Sequence, residues 1–512
     1  MGRCMNFGNA QRLRLAPLAL ALSAQFAHAG ASFDANVAMP ATWTPGDRSG
    51  VAAIFQTLRA RSRPTLPHVP AVNAVTSCLD DGGADTLRAV IAAAGEGDTI
   101  DLSALTCSAI TLAQGAIPVM LNDLTIVGPG PAQLAIDGAQ SDRVFLHYGY
   151  YGTLRLQQLG VRNGTSIVSG YRVTGGACIL SGGGVALDHA VVRDCVASGE
   201  GVYGGAILAR SVTMYTSTLS GNLALGAHPK TFTAAYGGGA MAYLGAITLY
   251  DSSVTGNRSA HDLTDTHGSY CTGGGVFSDF GGYALRSTIS GNYSYGTGGG
   301  FAAHGGVFLT DSTISGNTAK FKAGGGLFVH PKGASLQFNN NTIAFNSAAA
   351  GGGIYVSGPS RAVLMQSTIV ANNTAADFAA SDTLAISGTN NLMPTTGAGV
   401  SSPADTVHAD PQLLPLADNG GPTLTHALAP QSPARDAGAN PASLATDQRG
   451  AGHPRVVGAA ADIGAVEMGL AVSTPAMVPM LPAWAVALLT SLLAWTGMRG
   501  RRRGRVGVAS ST

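Results

Sequence analysis

A repeated run of glycines constrains this chain more than any other feature. Each copy places two or three glycines before an apolar residue, and in most copies a Ser/Thr-rich segment that ends in asparagine follows. The copies begin at Gly182, Gly204, Gly237, Gly273, Gly298, Gly324 and Gly351. A period of roughly 25 to 35 residues, with apolar and polar residues alternating inside each unit, is typical of a β-solenoid. The repeat therefore predicts one body of stacked coils in place of several ordinary domains.

The composition agrees with a folded solenoid. Glycine supplies 71 of the 512 residues and only 11% of residues are charged, but 45% are hydrophobic and the glycines are periodic. A disordered glycine-rich linker would lack that apolar fraction. The formal net charge is +1, and no basic patch interleaved with aromatic residues is evident in the body of the chain. Nucleic acid is therefore not predicted as a partner.

The predicted fold is all-β, a single-stranded, right-handed parallel β-helix of the pectate-lyase-like solenoid type. Each strand would pair in parallel with its equivalent one coil along, about 4.8 Å away. The apolar residue after the glycines would point into the core, and the glycines would allow close approach of neighbouring coils. A short helix over Thr86–Ala94, capped by Asp85, would cover the open N-terminal end. One hydrophobic helix would follow the solenoid near the C-terminus.

Changes in composition divide the chain into seven predicted segments. They are a signal peptide (1–29), a linker with a short helix near Val51–Ala60 (30–75), an N-terminal cap with the first coils (76–150), the β-helix repeats (151–379), a C-terminal cap (380–468), a linker with a sorting motif (469–482), and a transmembrane or sorting helix with an arginine tail (483–505). A basic start, a short apolar run and Ala27-His28-Ala29 indicate secretion. The apolar run from Ala485, followed at once by arginines, indicates a membrane helix with a cytoplasmic C-terminus.

One asparagine recurs near the end of the repeat unit. The predicted row consists of Asn222, Asn257, Asn292, Asn317, Asn346 and Asn372. Stacked in register, each amide could donate to the side-chain carbonyl one coil along and satisfy backbone groups at the bend. Because these residues lie beside turn glycines, an internal structural row is favoured over an exposed carbohydrate-binding row.

Five of the six cysteines remain once Cys4 leaves with the predicted signal peptide. Export to an oxidising compartment favours disulfides. Cys78 with Cys107 would tie the capping helix to the first strands, and Cys178 with Cys195 would bridge neighbouring strands of one coil. The sequence alone leaves the connectivity open. No Cys-x-x-Cys or His pair has the spacing of a zinc site.

The densest polar cluster in the repeats is Asp262, Asp265 and His267, within a long insertion. Tyrosines expected near it could stack on sugar rings, namely Tyr236, Tyr243, Tyr250, Tyr270, Tyr283, Tyr293 and Tyr295. Hydrolysis needs carboxylates at a fixed separation on adjacent coils, and β-elimination needs a base with acids that hold Ca²⁺. No such constellation is evident, so no cofactor is predicted, and Ca²⁺ enters only with a lyase activity.

Three parts of the chain resemble known families. The glycine-apolar units with their Ile-x-x-Asn segments resemble right-handed parallel β-helix surface proteins, including the repeats of polymorphic outer-membrane proteins. The stretch from Ser77-Cys78 to Cys107 and the segment Asp418–Glu467 resemble the ends of exported bacterial β-helix proteins of the choice-of-anchor and CSLREA type. The run Val478-Pro479-Met480-Leu481, with the apolar helix and arginines after it, resembles an IPTL-type C-terminal sorting signal, although Met480 departs from its usual threonine.

The resemblance implies an exported protein of a Gram-negative bacterium. Such a protein would be inserted in the inner membrane through its C-terminal helix and processed by a sorting peptidase on its way to the cell surface. Two functions stay open. The first is a structural, adhesive or glycan-binding role, with a surface glycan or surface protein as partner and no catalysis. The second is a polysaccharide lyase or glycoside hydrolase that uses the β-helix exterior, since this scaffold hosts such enzymes as well.

Overall fold

The computed structural model describes residues 37–38, 49–62, 68–169, 172–227, 233–261 and 270–469. In this part of the chain the strands stack into five sheets, which we number I to V in the order that one coil visits them. Every pairing between named strands is parallel, except that β1 (Val37–Ala38) lies antiparallel to β12 (Arg172–Gly175). The predicted parallel β-helix is therefore confirmed. The predicted signal peptide and C-terminal hydrophobic helix lie outside the described residues.

Sheets I and II run the length of the described solenoid. Sheet I contains β5 (Ile117–Val119), β8 (Phe145–His147), β13 (Ile179–Ser181), β18 (Ile207–Ala209), β23 (Ala240–Ala242), β28 (Val276–Ser278), β32 (Phe301–His304), β36 (Leu327–His330), β40 (Ile354–Val356) and β43 (Phe378–Ala380). Sheet II contains β2 (Val72–Ala74), β3 (Thr99–Asp101), β6 (Leu124–Val127), β9 (Thr153–Gln157), β14 (Gly184–Asp188), β19 (Ser211–Tyr215), β24 (Ile247–Tyr250), β29 (Gly282–Leu285), β33 (Val307–Thr310), β37 (Leu336–Asn339), β41 (Val363–Gln366), β44 (Leu384–Ser387) and β45 (Val400–Ser401).

Sheet III also runs through most of the coils, whereas sheets IV and V are present only in the middle coils of the described solenoid. Sheet III contains β4 (Ala109–Thr111), β7 (Ala135–Asp137), β10 (Gly160–Arg162), β15 (Val191–Arg193), β20 (Thr218–Ser220), β25 (Ser253–Thr255), β30 (Thr288–Ser290), β34 (Thr313–Ser315), β38 (Thr342–Ala344) and β42 (Ile369–Ala371). Sheet IV contains β11 (Thr165–Ile167), β16 (Val196–Gly199), β21 (Leu223–Gly226), β26 (Arg258–His261), β31 (Tyr293–Ser294), β35 (Thr318–Ala323) and β39 (Ser347–Ala350). Sheet V contains β1, β12, β17 (Gly201–Tyr203), β22 (Ala234–Tyr236) and β27 (Tyr270–Thr272).

The glycine runs form the corner that leads into sheet I. Gly298 has a φ of 61°, and a Cβ atom on Gly299 would lie 2.4 Å from the carbonyl oxygen of Gly325 in the next coil. Glycine is needed there because any side chain would push neighbouring coils apart. The copy that begins at Gly182 is out of register with the others. It lies between sheets I and II, and the equivalent corner of its coil begins at Gly176.

The interior is one apolar core that runs through the coils. Strand side chains alternate between core and surface, and the central residue of each sheet III strand points inward, as Ile289, Ile314 and Ile343 do. Full burial of such a side chain contributes about 1.5–3 kcal/mol. The stack of aliphatic side chains therefore supplies most of the stability of a fold that is poor in charge.

A short helix, α2 (Leu87–Ala93), covers the N-terminal end of this core. Its Leu87 and Ile91 side chains are buried in the core. The helix begins one residue later than predicted, because the capping residue is Thr86 and not Asp85. The side chain of Thr86 accepts a hydrogen bond from the N–H of Ala89 in the first turn. Arg88 donates two bonds of 2.7 and 2.8 Å to Asp80 before the helix, and it fixes the helix to the first coil by donating to the carbonyls of Gly115 and Ala116.

A longer helix, α1 (Ser49–Arg61), packs on the outside of the solenoid within the segment predicted as a linker. Val51, Ile54, Phe55 and Leu58 recur with helical spacing and are all at most 2% exposed. They cover outward-facing residues of sheet I, namely Leu146, Leu180, Leu208 and Met241. The N-terminal half of sheet I is therefore closed to solvent by α1.

The segment 411–468, which we call the C-terminal cover, packs along the outer face of sheet III. Thr288 Oγ1 donates to the carbonyl of Leu424 at 2.6 Å, and Thr313 Oγ1 lies 2.6 Å from the side-chain oxygen of Gln448. Farther along, the N–H of Ala465 donates to Thr342 at 3.1 Å. The predicted C-terminal cap (380–468) is therefore divided. Its first part continues the coils as β44 and β45, and its later part lies against the side of the coils, where the outward hydroxyl groups of sheet III offer it hydrogen-bond partners.

Within the part of the chain that the structure describes, neither helix has the length and apolar character needed to span a bilayer.

Candidate functional site

The asparagine row lies inside the corner between sheets III and IV. Asn222, Asn257, Asn292, Asn317 and Asn346 are each at most 1% exposed. Each side-chain NH₂ donates to the Oδ1 atom of the next asparagine at 2.8 to 3.0 Å. The same group donates to a backbone carbonyl, and each following Oδ1 also accepts a backbone N–H. These side chains are internal and fully engaged, so they present no surface to a ligand.

The row ends at Asn373, and the predicted member Asn372 is not part of it. Asn346 donates to Asn373 Oδ1 at 3.0 Å, and Asn373 donates to Asp377. Asn372 is exposed and has a φ of 59°, which is the left-handed turn position that Gly316 holds in an earlier coil. The last unit is shifted by one residue along the sequence, so the residue that matches by simple spacing occupies the turn.

A second row of short polar side chains lies at the corner between sheets II and III and was not predicted. The backbone N–H groups of Ser217, Ser252 and Ser287 each donate to the hydroxyl group of the serine one coil along, at 3.1 to 3.2 Å. Asn341, Thr368 and Asn391 continue the row. This row could have been predicted from the serine that begins the segments ending in the row asparagine, as in Ser287-Thr288-Ile289-Ser290-Gly291-Asn292.

Two disulfides join Cys78 to Cys107 and Cys178 to Cys195, with Cα atoms 6.3 and 5.7 Å apart. Cys195 occupies the position of the row asparagine in its own coil, since its N–H donates to Asn222 Oδ1. The covalent bond therefore stands at the N-terminal end of the asparagine row. Cys271 is free and buried, and burial raises the pKa of its thiol to about 12, so the thiol stays protonated and unreactive at neutral pH.

The predicted polar cluster of Asp262, Asp265 and His267 lies outside the described residues. Beside it, His261 is buried with its ring 4.0 Å from that of Tyr295, and Tyr270 is 43% exposed. Within the described ranges, no group of three or more His, Cys, Asp or Glu side chains is placed to hold a metal ion.

Acidic side chains on nearby coils are engaged in ion pairs. Asp251 accepts two bonds of 2.7 Å from the guanidinium of Arg286 on the next coil. Asp311, one coil farther, is fully buried and lies 3.5 Å from Arg455 of the C-terminal cover. Burial raises the pKa of Asp311 to about 8, although Arg455 acts in the opposite direction. A buried carboxyl cannot reach a polysaccharide, so Asp251 and Asp311 do not form the acid pair of a hydrolase.

The tyrosines predicted near the insertion fall on three sides of the solenoid. Tyr236 and Tyr243 pack in the apolar cluster of α1, where Tyr243 stacks on Phe55 with centroids 5.1 Å apart. Tyr250 and Tyr283 lie on the outer face of sheet II. The remaining three, Tyr270, Tyr293 and Tyr295, lie on or directly beside sheets IV and V. In the last group, Tyr270 directly follows the insertion in the sequence and Tyr295 contacts His261, which precedes it.

The outer face of sheet II carries aromatic side chains on four successive coils, Tyr215, Tyr250, Tyr283 and Phe308, which we call the aromatic row. Tyr215 pairs with Tyr250 and Tyr283 pairs with Phe308, and the row shifts by two residues along the strand between these two pairs. The rings of Tyr215 and Tyr250 stack with centroids 5.0 Å apart and an interplanar angle of 5°, and Tyr283 follows at 5.5 Å. Tyr215 is 46% exposed and Phe308 is 41% exposed. Three coil intervals of about 4.8 Å make this surface about 14 Å long.

A second exposed surface lies on sheet IV and the adjoining edge of sheet V. We call it the cationic patch, and it consists of Arg258, Tyr270, Tyr293, Tyr295, Lys320, Phe321 and Lys322. Its residues come from separate coils, which explains why no basic aromatic patch was evident in the sequence. Only Lys320-Phe321-Lys322 is contiguous and could have been noticed.

A shallow cleft of about 230 Å³ lies on the outer face of sheet III near its N-terminal end, between Pro131, Gly160 and Arg162. Its floor consists of small residues. Arg162 is paired with Asp137 at 2.8 Å, and Arg193 at the rim is paired with Asp194. Because its cations are already neutralised, this cleft offers less to a ligand than the two aromatic surfaces do.

The fold and these surfaces define a parallel β-helix protein with two aromatic faces and a covered third side. No family model matches the chain, and a search of curated proteins finds no match. Among solved structures, the crystal structure of pectate lyase Pel9A is similar, with 14% sequence identity and a TM-score of 0.41. The similarity covers 80% of this chain and 98% of that one.

Proposed function

We propose that the protein is an exported β-helix protein that binds glycans at the cell surface without acting on them as an enzyme. The aromatic row on sheet II is the observation that carries this proposal. Exposed aromatic rings are uncommon on monomeric proteins unless they meet a partner, because they leave apolar area in water. Here they follow one another from coil to coil, with one sideways step of two residues between Tyr250 and Tyr283, and so form an elongated surface that a linear polymer can contact.

The chemistry beside the rings suits a sugar chain. Thr213, Thr248 and Thr310 lie on the same outer face and are partly exposed. Their hydroxyl groups, with those of the tyrosines, can donate and accept hydrogen bonds with sugar hydroxyls, while the rings contact the apolar faces of pyranose units. A rigid sheet holds all of these groups in place, which lowers the entropic cost of binding.

The other long faces favour sheet II as the binding surface. Helix α1 covers the N-terminal half of sheet I, and the C-terminal cover occupies sheet III from Thr288 onward. The aromatic row remains open to solvent between them. Export and a membrane-sorted C-terminus belong to the same proposal, and they rest on the basic and apolar signals at the two ends of the sequence.

The alternative activity, that of a polysaccharide lyase or hydrolase, is supported by fewer residues of the described chain. The described acids of neighbouring coils are paired or buried, so a catalytic site would depend on Asp262, Asp265 and His267. No contact of the described residues favours that chemistry, and the non-catalytic role is therefore preferred.

The double substitution Tyr215→Ala and Tyr250→Ala should weaken the binding of neutral polysaccharides by about tenfold, because two stacking rings are lost. Affinity electrophoresis and calorimetry with a panel of soluble β- and α-glucans, mannans and galactans would measure the change. Tyr151→Ala is the matched control, since Tyr151 is 71% exposed and lies off the row. Equal losses in the control and the row variant, or no loss in either, would refute the assignment of the row.

A further inference from the structure

The strand β35 contains a bulge that pushes three residues into solvent. Its register with β39 passes from Ala319 opposite Ala348 to Ala323 opposite Ala350, so β35 advances four residues while its neighbour advances two. Lys320, Phe321 and Lys322 are exposed as a result. Bulges commonly redirect side chains beside functional sites. This one places two cations and an aromatic ring on the surface of sheet IV.

The cations of the patch lie over aromatic rings. Lys320 Nζ is 5.1 Å from the centroid of Tyr295 and 5.0 Å from that of Phe321. Lys322 Nζ is 4.7 Å from the centroid of Tyr270. Two coils before the lysines, the guanidinium of Arg258 lies 4.8 Å from the centroid of Tyr293. Such contacts hold the cations in place without neutralising them.

The positive charge of the patch is not balanced by the described residues around it. No Asp or Glu occurs in 258–261, 270–272, 293–297 or 318–323, and no ion pair involves these three cations in the described chain. Arg258 Nε is buried and has no hydrogen-bond partner there. Burial raises the pKa of Tyr293 to about 12, so its hydroxyl group remains a hydrogen-bond donor at neutral pH. All of these groups favour an anionic acceptor.

We propose that the cationic patch is a second binding site, and that its ligand is an acidic polysaccharide that carries carboxylate groups. Charge complementarity supplies the first argument, since these three cations have no acidic partner among the described residues and lie beside exposed rings. The spacing supplies the second, since Arg258 on β26 and the two lysines on β35 are two coils apart, about 10 Å, so the patch presents positive charge at separate points along the axis, as binding of a polymer with several charges requires. Three cations on a chain of net charge +1 are too few for tight binding to the dense phosphates of nucleic acid.

This site is separate from the aromatic row of the proposed function. The row lies on sheet II and the patch on sheet IV, and sheet III lies between them along each coil. The two sites can therefore be tested independently. Loss of neutral glycan binding would not affect the patch, and loss of acidic glycan binding would not affect the row.

The test is the affinity of the purified full chain for a linear polyuronate, for the same polymer after carboxyl reduction, and for a DNA duplex. Lys320→Ala with Lys322→Ala should weaken polyuronate binding roughly fivefold to tenfold, because each exposed charge pair contributes up to about 1 kcal/mol. Binding of the polyuronate by the wild type should fall with added salt, and the two lysine substitutions should have no effect on binding of the reduced polymer, which carries no charge for the patch to contact.

Lys332→Ala with Arg361→Ala is the control, since both residues are exposed and their removal changes the net charge equally. Full folding of each variant would be checked by circular dichroism and by unchanged neutral-glycan binding. The proposal is overturned if the control loses as much affinity as the patch variant, if the patch variant loses as much affinity for the reduced polymer as for the polyuronate, or if the wild type does not bind the polyuronate. Tighter binding of DNA than of polyuronate would overturn the choice of ligand.

Discussion

Replacing Asn317 with alanine is expected to lower the free energy of unfolding by about 3–5 kcal/mol, because it leaves several buried polar groups without partners. The backbone N–H and the side-chain NH₂ of Asn292 both lose their acceptor. The carbonyl of Ile289 loses its donor. Thermal and urea denaturation of the purified protein, followed by circular dichroism, would measure the loss.

The matched control for this prediction is Asn372→Gly. Asn372 is exposed at a left-handed turn position where Gly316 stands in an earlier coil, so glycine should be tolerated with a change of less than about 1 kcal/mol. A control as destabilised as Asn317→Ala would show that Asn372 belongs to the row after all. An unchanged Asn317→Ala variant would show that the row does not hold the coils together.

Replacing Arg455 with alanine is expected to detach the C-terminal cover and to cost about 3–5 kcal/mol, because the buried carbonyl of Asp462 and the buried carboxyl groups of Asp311 and Glu467 would lose the guanidinium beside them. Arg455 is fully buried, lies 3.5 Å from Asp311 and 3.8 Å from Glu467, and donates to the carbonyl of Asp462 at 2.6 Å. Limited proteolysis with mass spectrometry should then show rapid cleavage within 411–468, while the coils stay resistant.

The substitution Asp311→Asn removes the ionisable carboxyl group from the same cluster and keeps a side chain of nearly the same size and shape. The folded pKa of Asp311, about 8, lies above its ordinary value of 3.8, so its stabilising contribution is complete below pH 3.8 and is lost as the pH rises through 8. The asparagine variant should therefore match the wild type at or below about pH 4, and should become increasingly more stable than the wild type as the pH rises toward 8. Cover release in this variant at pH 4, or an intact cover in Arg455→Ala, would contradict the role given to Arg455 and its buried neighbours.

The parallel fold was predictable because its determinants are local and repeated. A glycine corner, an inward aliphatic residue and a buried asparagine recur in each coil, so one unit indicates the geometry of the next. The same regularity explains the error at Asn372. Spacing alone assigned it to the row, whereas Thr368 takes the serine position in the last unit and moves the asparagine to Asn373.

The coverage of the outer faces was not predictable in the same way. Thr288 meets Leu424 across 136 residues of sequence, and Phe55 meets Tyr243 across a comparable distance. The local sequence around Thr288 or Phe55 does not indicate which distant residue it will contact. The tyrosines show the related limit, since neighbours in sequence such as Tyr283 and Tyr293 lie on different faces because each coil turns several corners between them.

The most direct measurement is to incubate the purified protein with neutral and uronate polysaccharides, with and without Ca²⁺, and to follow both binding and the release of new chain ends. A non-catalytic glycan-binding protein should bind members of the panel and release neither reducing nor unsaturated ends. Release of new ends that disappears in the Asp262→Ala, Asp265→Ala double variant would contradict that account and establish a polysaccharide-degrading enzyme.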